Sequence, residues 1–177
     1  MAEVFVNSQT RAAGIVTTST GAAIGANATT ITGVSTAGVA VGHMVDTQHF
    51  RGGAKVSALG SGQVTVDKTS TNSASAASQT VRFMGPTTCY TSPAATKSIL
   101  IGGTYANLTN NNVNIFVELK SGSTHTGIAN DIPVPSGSSF VISDAGKTVM
   151  IADDEIRIYC DTSGAVDVTM GILQGVS

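Results

Sequence analysis

The chain has 177 residues, of which 41% are hydrophobic and only 11% are charged, and its formal net charge is −2. This length allows one large domain or two small ones. The nine Lys and Arg residues are scattered singly, which argues against nucleic-acid binding because phosphate neutralisation requires clustered cations. No basic segment followed by an apolar one is found near the N-terminus, and no apolar run approaches the roughly 18 residues of a membrane span. We therefore expect a soluble protein that is made in a cytoplasm and does not bind a membrane.

The first half of the chain alternates short strand signals with segments rich in Gly, Ala, Ser and Thr. A first strand is predicted at Val4, Phe5 and Val6. Residues 17–28 and 68–79 have little side-chain bulk, which predicts surface loops or flexible arms. Between and after them, strands are predicted over residues 29–33, 39–45, 54–59, 64–67 and 80–83. Short strands at close spacing with Gly turns predict a small barrel-like module.

Gly85 and Pro86 mark the predicted domain junction, because this dipeptide interrupts regular structure. Beyond it, strands are predicted over residues 88–93, where the strand ends at the proline, and over residues 98–106, 113–120, 132–134 and 140–142. Pro133 places the strand around it at a sheet edge, where a missing N–H costs no hydrogen bond of the sheet.

The clearest strand signal lies in residues 140–173. Ile156, Ile158 and Cys160 share one parity, and after residues 162–165 the alternation resumes from Val166 to Ile172. Alternation on both sides of a short Ser-Gly turn predicts a β-hairpin with one buried face. Because no long segment keeps a 3.6-residue period, we predict an all-β fold: an antiparallel β-sandwich of jelly-roll or immunoglobulin-like type with a second, small β-barrel-like module.

The position of the first strand bears on the domain organisation. Residues 4–6 precede the small module but have the pattern of a sandwich strand. One interpretation is that residues 1–13 and 86–177 form the sandwich and residues 14–85 are inserted after its first strand; a tandem of two domains is the alternative. Insertion is favoured, since the entropy cost of a longer surface loop grows slowly with length.

The acidic run Asp153, Asp154 and Glu155 is the first candidate for chemistry. Calcium requires six to eight oxygens from converging loops, and Asp131, Asp144 or Asp161 would have to join the run. No calcium-loop spacing is present, so a solvated turn is predicted instead. Segment 161–164 (Asp-Thr-Ser-Gly) resembles the Asp-Thr-Gly triplet of aspartic proteases, but it lacks the Gly at the third position and has no second copy.

His43, His49 and His125 are widely separated and lack neighbouring ligands at zinc spacing. No Gly-x-Ser-x-Gly motif is present, and the pairs at 52–53 and 102–103 are interpreted as Gly turns or close-packing points. Cys89 and Cys160 are predicted to be small buried apolar residues, with a mutual disulfide as the alternative. We therefore predict no catalytic, cofactor-binding or metal site, and no enzyme.

The chain resembles small β-rich virion proteins of tailed bacteriophages. The residues that carry the resemblance are 90–102, 131–139 and 151–162, preceded by a strand that ends at Asn7; the middle of the chain is similar to a β module of phage fibre and tail proteins at residues 28–34, 41–45 and 60–66. The resemblance implies a non-enzymatic structural protein of the virion, made in the host bacterial cytoplasm. The expected role is a capsid decoration, or cement, protein.

The same resemblance leaves a neck, head-tail connector or tail component as an alternative. The expected partners are other virion proteins, either the major capsid protein or neck and tail subunits, together with further copies of the chain in a homo-oligomer. Strand addition at an exposed edge and ordering of the two arms are the expected modes of contact. A carbohydrate- or receptor-binding module is the third interpretation, with Tyr105 and the nearby Asn107, Asn110 and Asn111 as its only candidate platform.

Overall fold

The computed structural model describes residues 3–143 and 147–176, and these form fifteen β-strands and no helix. The predicted all-β class is confirmed, and in the described ranges no helix is long and apolar enough to cross a membrane. The chain divides into two compact units, of which one is Ile15–Pro86 and the other comprises the residues up to Gly14 and from Thr87 onward. The chain thus leaves one unit after its first strand and returns to it, at bounds one residue from those expected from the sequence.

The discontinuous unit is an antiparallel β-sandwich. Its front sheet has the strand order β1, β15, β9, β12, and β13 also pairs with β9. The bounds are Val4–Ala13 for β1, Val166–Val176 for β15, Lys97–Asn107 for β9, Ser139–Ile142 for β12 and Thr148–Met150 for β13. The predicted first strand therefore joins the end of the chain in one sheet.

The back sheet has the order β11, β10, β14, β8. Its bounds are Thr124–Val134 for β11, Val113–Ser121 for β10, Glu155–Cys160 for β14 and Thr87–Thr91 for β8. As predicted, Pro133 lies on an edge strand, β11. The inward positions of both sheets form one core, in which Leu100, Tyr105 and Met170 from the front meet Ile115, Val117 and Ile158 from the back.

The predicted hairpin at the end of the chain is wrong. β14 pairs with β10 and β8 in the back sheet, whereas β15 pairs with β1 and β9 in the front sheet. Residues 161–165 therefore form an arch that crosses from one sheet to the other. The alternating pattern could not distinguish the two, because in a hairpin and in an arch the apolar face of each strand points to the same core.

Backbone contacts hold this arch in place. The N–H groups of Gly164 and Ala165 donate to the carbonyls of Gly14 (3.0 Å) and Ala13 (2.9 Å) at the end of β1. On the other side, the N–H of Asp161 donates to the Asn114 carbonyl at 3.1 Å, and the N–H of Asn114 donates to Asp161 Oδ1 at 3.1 Å. The arch thus connects the first strand of the chain with β10.

The inserted unit is a single six-stranded sheet with the order β4, β7, β2, β3, β6, β5. The bounds are Met44–Asp46 for β4, Ala76–Gly85 for β7, Ile15–Ile24 for β2, Thr30–Thr32 for β3, Gln63–Val66 for β6 and Val56–Gly60 for β5. Backbone bonds connect its two ends: Gly42 N–H to Val56 O (2.8 Å), Val56 N–H to His43 O (2.9 Å) and Val45 N–H to Ala54 O (2.8 Å). The sheet is therefore strongly curved, as expected for a barrel-like module.

Both low-bulk segments are parts of this unit. The prediction of a loop or arm is wrong for most of residues 17–28, whereas residues 68–75 form the predicted surface loop and residues 76–79 begin β7. Most of the first segment belongs to β2, between β7 and β3, and Ala22 and Ile24 are fully buried. In the second, the N–H groups of Ser70 and Thr71 each donate at 2.8 Å to the carbonyls of Ala28 and His49. In the first segment low side-chain bulk did not indicate a loop, because small residues can occupy the interior of a small, curved sheet, where backbone hydrogen bonds hold the strand in place.

Candidate assembly surface

The outer face of the back sheet carries a group of charges, Glu118, Lys120, Glu155 and Arg157, called the back-sheet ion network. Register places Glu118 opposite Arg157 and Lys120 opposite Glu155. Glu155 accepts from Lys120 Nζ at 2.7 Å and from Arg157 Nε at 2.8 Å. The Thr88 hydroxyl adds a third hydrogen bond to Glu155 at 3.0 Å. The carboxylate at the centre of this face is therefore satisfied within the chain.

The pKa values in the network follow from these contacts. The hydrogen bond from Arg157 lowers the pKa of Glu155 to about 2, against an opposing effect of burial and with further help from Lys120 and Thr88. Burial lowers the pKa of Arg157, but its hydrogen bond to Glu155 and the negative charges around it outweigh that effect, and the pKa is raised. Both groups are held in their charged forms, which suits a stable ion pair.

Glu118 has a second set of partners on the same face. Its Oε1 accepts from the phenol of Tyr159 at 2.7 Å and lies 2.9 Å from Nδ1 of His125. Burial raises the pKa of Tyr159, and the hydrogen bond to Glu118 raises it further. Because Tyr159 is fully buried and stays neutral, it is a structural donor without access to a substrate.

The outer face of the front sheet is different, since it carries an apolar row. Register places Val149 opposite Ile99, Ile99 opposite Leu173, and Leu173 opposite Phe5. Directly paired residues of an antiparallel sheet point to the same side, so these four side chains cross the sheet from β13 to β1. Phe5 is 77% exposed and Val149 is 56% exposed. We call these four residues the front-sheet row.

Two further exposed apolar residues lie on the β12 and β13 edge, one of them two positions after Val149 and the other five positions along β9 from Ile99. Val141, which pairs with Thr104, and Ile151, directly after β13, are both more than half exposed. Single exposed apolar residues are common on protein surfaces, but contiguous exposed patches mark sites of interaction. The front-sheet row, on a rigid sheet and without charges of its own, is the strongest candidate for a contact surface.

The three acidic side chains of residues 153–155 have different environments. Asp153 is exposed in a turn, and Asp154 is buried, where its Oδ2 accepts from the N–H of Ile151 at 2.9 Å. Glu155 belongs to the back-sheet ion network. Among the described residues no group of three or more His, Cys, Asp or Glu could hold a metal, and Asp144 lies outside them. The run is thus a turn with one buried acidic side chain, less solvated than predicted.

The three histidines have separate environments. His125 lies on the back sheet beside Glu118, whereas His43 and His49 belong to the inserted unit. Nε2 of His49 lies 3.0 Å from Oε1 of Gln79. Burial lowers the pKa of His43, whose Nδ1 is buried without a hydrogen-bond partner. No zinc arrangement is formed by these residues.

Cys89 and Cys160 are buried and are not joined by a disulfide, so the prediction of small buried residues is confirmed and the disulfide alternative is wrong. Burial raises the pKa of Cys89 to about 11, against opposing hydrogen bonds from Thr10 and Ile158. A thiol with such a pKa is a poor nucleophile at neutral pH. The Gly pairs also have structural roles: a Cβ on Gly102 would approach the Ile142 carbonyl oxygen to 2.8 Å.

The predicted carbohydrate platform is wrong. Tyr105 is fully buried, and its hydroxyl points to Met170 Sδ at 3.9 Å. The Asn107 amide bonds to the carbonyls of Asn111 (2.7 Å) and Val134 (2.9 Å), which fixes the loop before β10. An open cleft of about 660 Å³ in the inserted unit is lined by polar residues, with no aromatic side chain among them. Neither place offers the stacking surface that sugar recognition commonly uses.

Sequence reasoning missed the front-sheet row because its members are far apart in the chain and share no local motif. Phe5, Ile99, Val149 and Leu173 form one row only through the strand order and register. Comparison of the chain with protein-family models, curated proteins and solved structures finds no match. Function must therefore be inferred from the chain's own residues and surfaces.

Proposed function

We propose that the protein is a non-enzymatic structural component of a tailed-phage particle, and specifically a capsid decoration protein that binds the major capsid protein. The front-sheet row is the observation that carries this proposal. It supports a role in contact, because its four residues are apolar, Phe5 and Val149 are largely exposed, and Ile99 and Leu173 are partly exposed between them. The sequence resemblance at residues 90–102, 131–139 and 151–162 supports the setting on a virion.

The two faces of the sandwich suggest how such a protein would bind. The charges of the back-sheet ion network are already paired within the chain, so they would contribute little binding free energy to a contact with a partner. Burial of the front-sheet row against a partner would stabilise the complex, since burying a Val, Leu or Phe side chain contributes about 1.5–3 kcal/mol of free energy. A contact of a few such residues is modest alone, but a decoration protein acts in many copies whose contributions combine on one particle.

The ordered arms change the mode of contact expected from the sequence. Residues 17–24 and 68–79 are held within the inserted unit and are therefore no longer candidates for wrapping a neighbouring subunit. We assign the contact instead to the outer face of the front sheet. A rigid contact face loses little entropy on binding, which favours affinity for a given buried area.

Rebinding to particles tests the proposal. Particles that lack the chain would be mixed with purified Val149→Ser or Phe5→Ser protein, and with Val41→Ser as the control. Val41 is 62% exposed and belongs to the inserted unit, not to the sandwich that carries the row. We expect both row variants to bind at least about ten-fold more weakly than the control, which corresponds to the loss of about 1.4 kcal/mol per particle site.

Equal binding of all three variants would contradict the assignment of the contact to this face. Absence of the unmodified protein from particles, and its failure to bind them, would contradict the virion role itself. Binding at a neck or tail position would replace the decoration role with the alternative that the sequence resemblance left open.

A further inference from the structure

The sandwich has four edge strands or edge segments, and three of them carry devices that discourage pairing with another chain. β11 contains Pro133 and two register irregularities against β10. The edge opposite β1 is divided between β12 and β13, which have four and three residues. β8 has only five residues, and its Cys89 carbonyl already accepts a 2.6 Å hydrogen bond from Ser8. Short strands, prolines and bulges are the usual protection of sheet edges.

β1 is the exception. It has ten residues, and from Val4 to Thr10 it pairs with β15 in unbroken register over seven consecutive positions. It contains no proline, and its first irregularity comes only after Thr10. Asn7, Gln9 and Arg11 are exposed. β1 is a long, regular strand whose outer edge pairs with no other strand among the described residues, and such an edge is a template for another strand.

The charges around β1 define which strand would fit. Glu3 and Arg11 are the acidic and basic residues of this segment, and each lies four positions from Asn7. Both are exposed, and neither has an ion pair within the described part of the chain. If a second β1 were placed antiparallel with the two Asn7 residues opposite each other, Glu3 of each copy would face Arg11 of the other. No other antiparallel register brings these two residues directly opposite.

We propose that two copies of the chain pair antiparallel through β1, with Asn7 on a two-fold axis, so that their front sheets join into one continuous sheet. The interface is isologous, as in most protein dimers, and it contains the Glu3–Arg11 pair twice. Phe5 of each copy lies opposite Gln9 of the other. This pairing does not depend on the virion role, because it is a property of the protein in solution.

A two-fold axis through Asn7 also allows backbone hydrogen bonds to form between the two β1 strands. Antiparallel pairs alternate between hydrogen-bonded and non-hydrogen-bonded positions. With Asn7 on the axis, a dimer forms hydrogen bonds whether the outward backbone groups belong to odd or to even positions of β1. The two charged residues thus select the antiparallel direction and the register of the second strand, and the backbone groups of the β1 edge supply the hydrogen bonds.

Charge reversal of the full-length protein tests the inference. Glu3→Arg places two like-charged pairs in the dimer, and so does Arg11→Glu. We expect each variant alone to dimerise roughly ten-fold more weakly at low salt, since two exposed ion pairs are each turned from attraction to repulsion. An equimolar mixture of the two variants should regain dimers, because every facing pair is again of opposite charge. Sedimentation equilibrium measures all three samples.

Cross-linking tests the register. Cα atoms of facing residues in an antiparallel pair are about 4.5 or 5.5 Å apart, within the range of a disulfide. Asn7→Cys should therefore form a cross-linked dimer with oxidised glutathione, whereas Gln9→Cys, which faces Phe5 of the second copy, should not. Cys89 and Cys160 are buried, so cross-linking through these native cysteines should be low.

Several results would overturn the inference. These are a monomeric unmodified protein at the highest attainable concentration, a dimer that is insensitive to both charge reversals, and equal cross-linking at positions 7 and 9. Circular dichroism and the melting temperature of each variant show whether it is folded. Failure of dimerisation would leave the rebinding of single copies to particles as a separate question, so the two proposals can fail independently.

Discussion

The phenol of Tyr159 donates a 2.7 Å hydrogen bond to Glu118, and both residues are buried on the outer side of the back sheet. A buried carboxylate is tolerated only where hydrogen bonds or opposite charges compensate it. Tyr159 and His125 supply that compensation from neighbouring strands. The hydrogen bond between Tyr159 and Glu118 therefore stabilises the back sheet, whose buried carboxylate finds its partners within the chain.

Tyr159→Phe is expected to lower the free energy of unfolding by about 1–3 kcal/mol, because it leaves Glu118 buried with one donor fewer. Tyr105→Phe is the matched control, since Tyr105 is equally buried but its hydroxyl donates a long hydrogen bond to Met170 Sδ and not to a carboxylate. Denaturant titration of both variants measures the difference. Equal losses of unfolding free energy in the two variants would contradict a stabilising role for the hydrogen bond to Glu118.

Acid stability should depend on Glu155. Its pKa in the folded protein is about 2, below its ordinary value of 4.5, so its stabilising contribution is complete above pH 4.5 and is lost as the pH falls toward 2. Glu155→Gln should be less stable than the unmodified protein by on the order of 1 kcal/mol at neutral pH. The difference should vanish near pH 2.

Melting temperatures measured from pH 7 to pH 2 test this dependence. Asp153→Asn is the control, because Asp153 is exposed in the preceding turn. A difference between the unmodified protein and Glu155→Gln that stays constant over this range would show that the carboxylate is not stabilised by its neighbours.

Ser70 should be important for the order of residues 68–75. Its hydroxyl donates to the Gly25 carbonyl at 2.8 Å and accepts from the N–H of Ala28 at 3.0 Å, and the residue is buried. Ser70→Ala is expected to cost about 1–3 kcal/mol in the inserted unit. Ser73→Ala, at an exposed position of the same loop, should have almost no effect. Hydrogen exchange at the Ala28 amide reports the change, and equal exchange in both variants would contradict it.

Gly14 should not tolerate a side chain. Its φ is +122°, and a Cβ would collide with the carbonyl oxygen of Thr162 in the arch. Gly14→Ala should therefore destabilise the sandwich by about 3 kcal/mol or more, whereas Gly122→Ala should cost only the roughly 1–2 kcal/mol of left-handed strain. Gly122 has a φ of +57° and open space around it. Thermal unfolding of the two variants distinguishes them, and similar losses would refute the close contact at the arch.

Much of the fold could be predicted from local patterns. The alternation in residues 113–120 and 156–160 located strands correctly, because the parity of apolar residues is a property of each strand by itself. Parity says nothing about partners. It could not show that β14 and β15 lie in different sheets, nor that the weakly patterned residues 17–24 occupy the interior of a sheet through backbone hydrogen bonds.

The candidate surface lay almost wholly beyond sequence reasoning. Phe5, Ile99, Val149 and Leu173 become neighbours only when three pairings and their registers are known. Tyr105 failed as a binding residue for a related reason. An isolated aromatic residue in a strand points inward or outward according to a parity that its neighbours Thr104 and Ala106 leave open, and in this chain it points into the core.

The copy number of the chain in purified phage particles tests the proposed virion role most directly. Quantitative mass spectrometry with isotope-labelled peptides, referenced to the major capsid protein, gives this number. The account predicts a ratio to the major capsid protein that corresponds to hundreds of copies per particle. Absence of the chain from purified particles would contradict the account, and a dozen copies or fewer would contradict the decoration role.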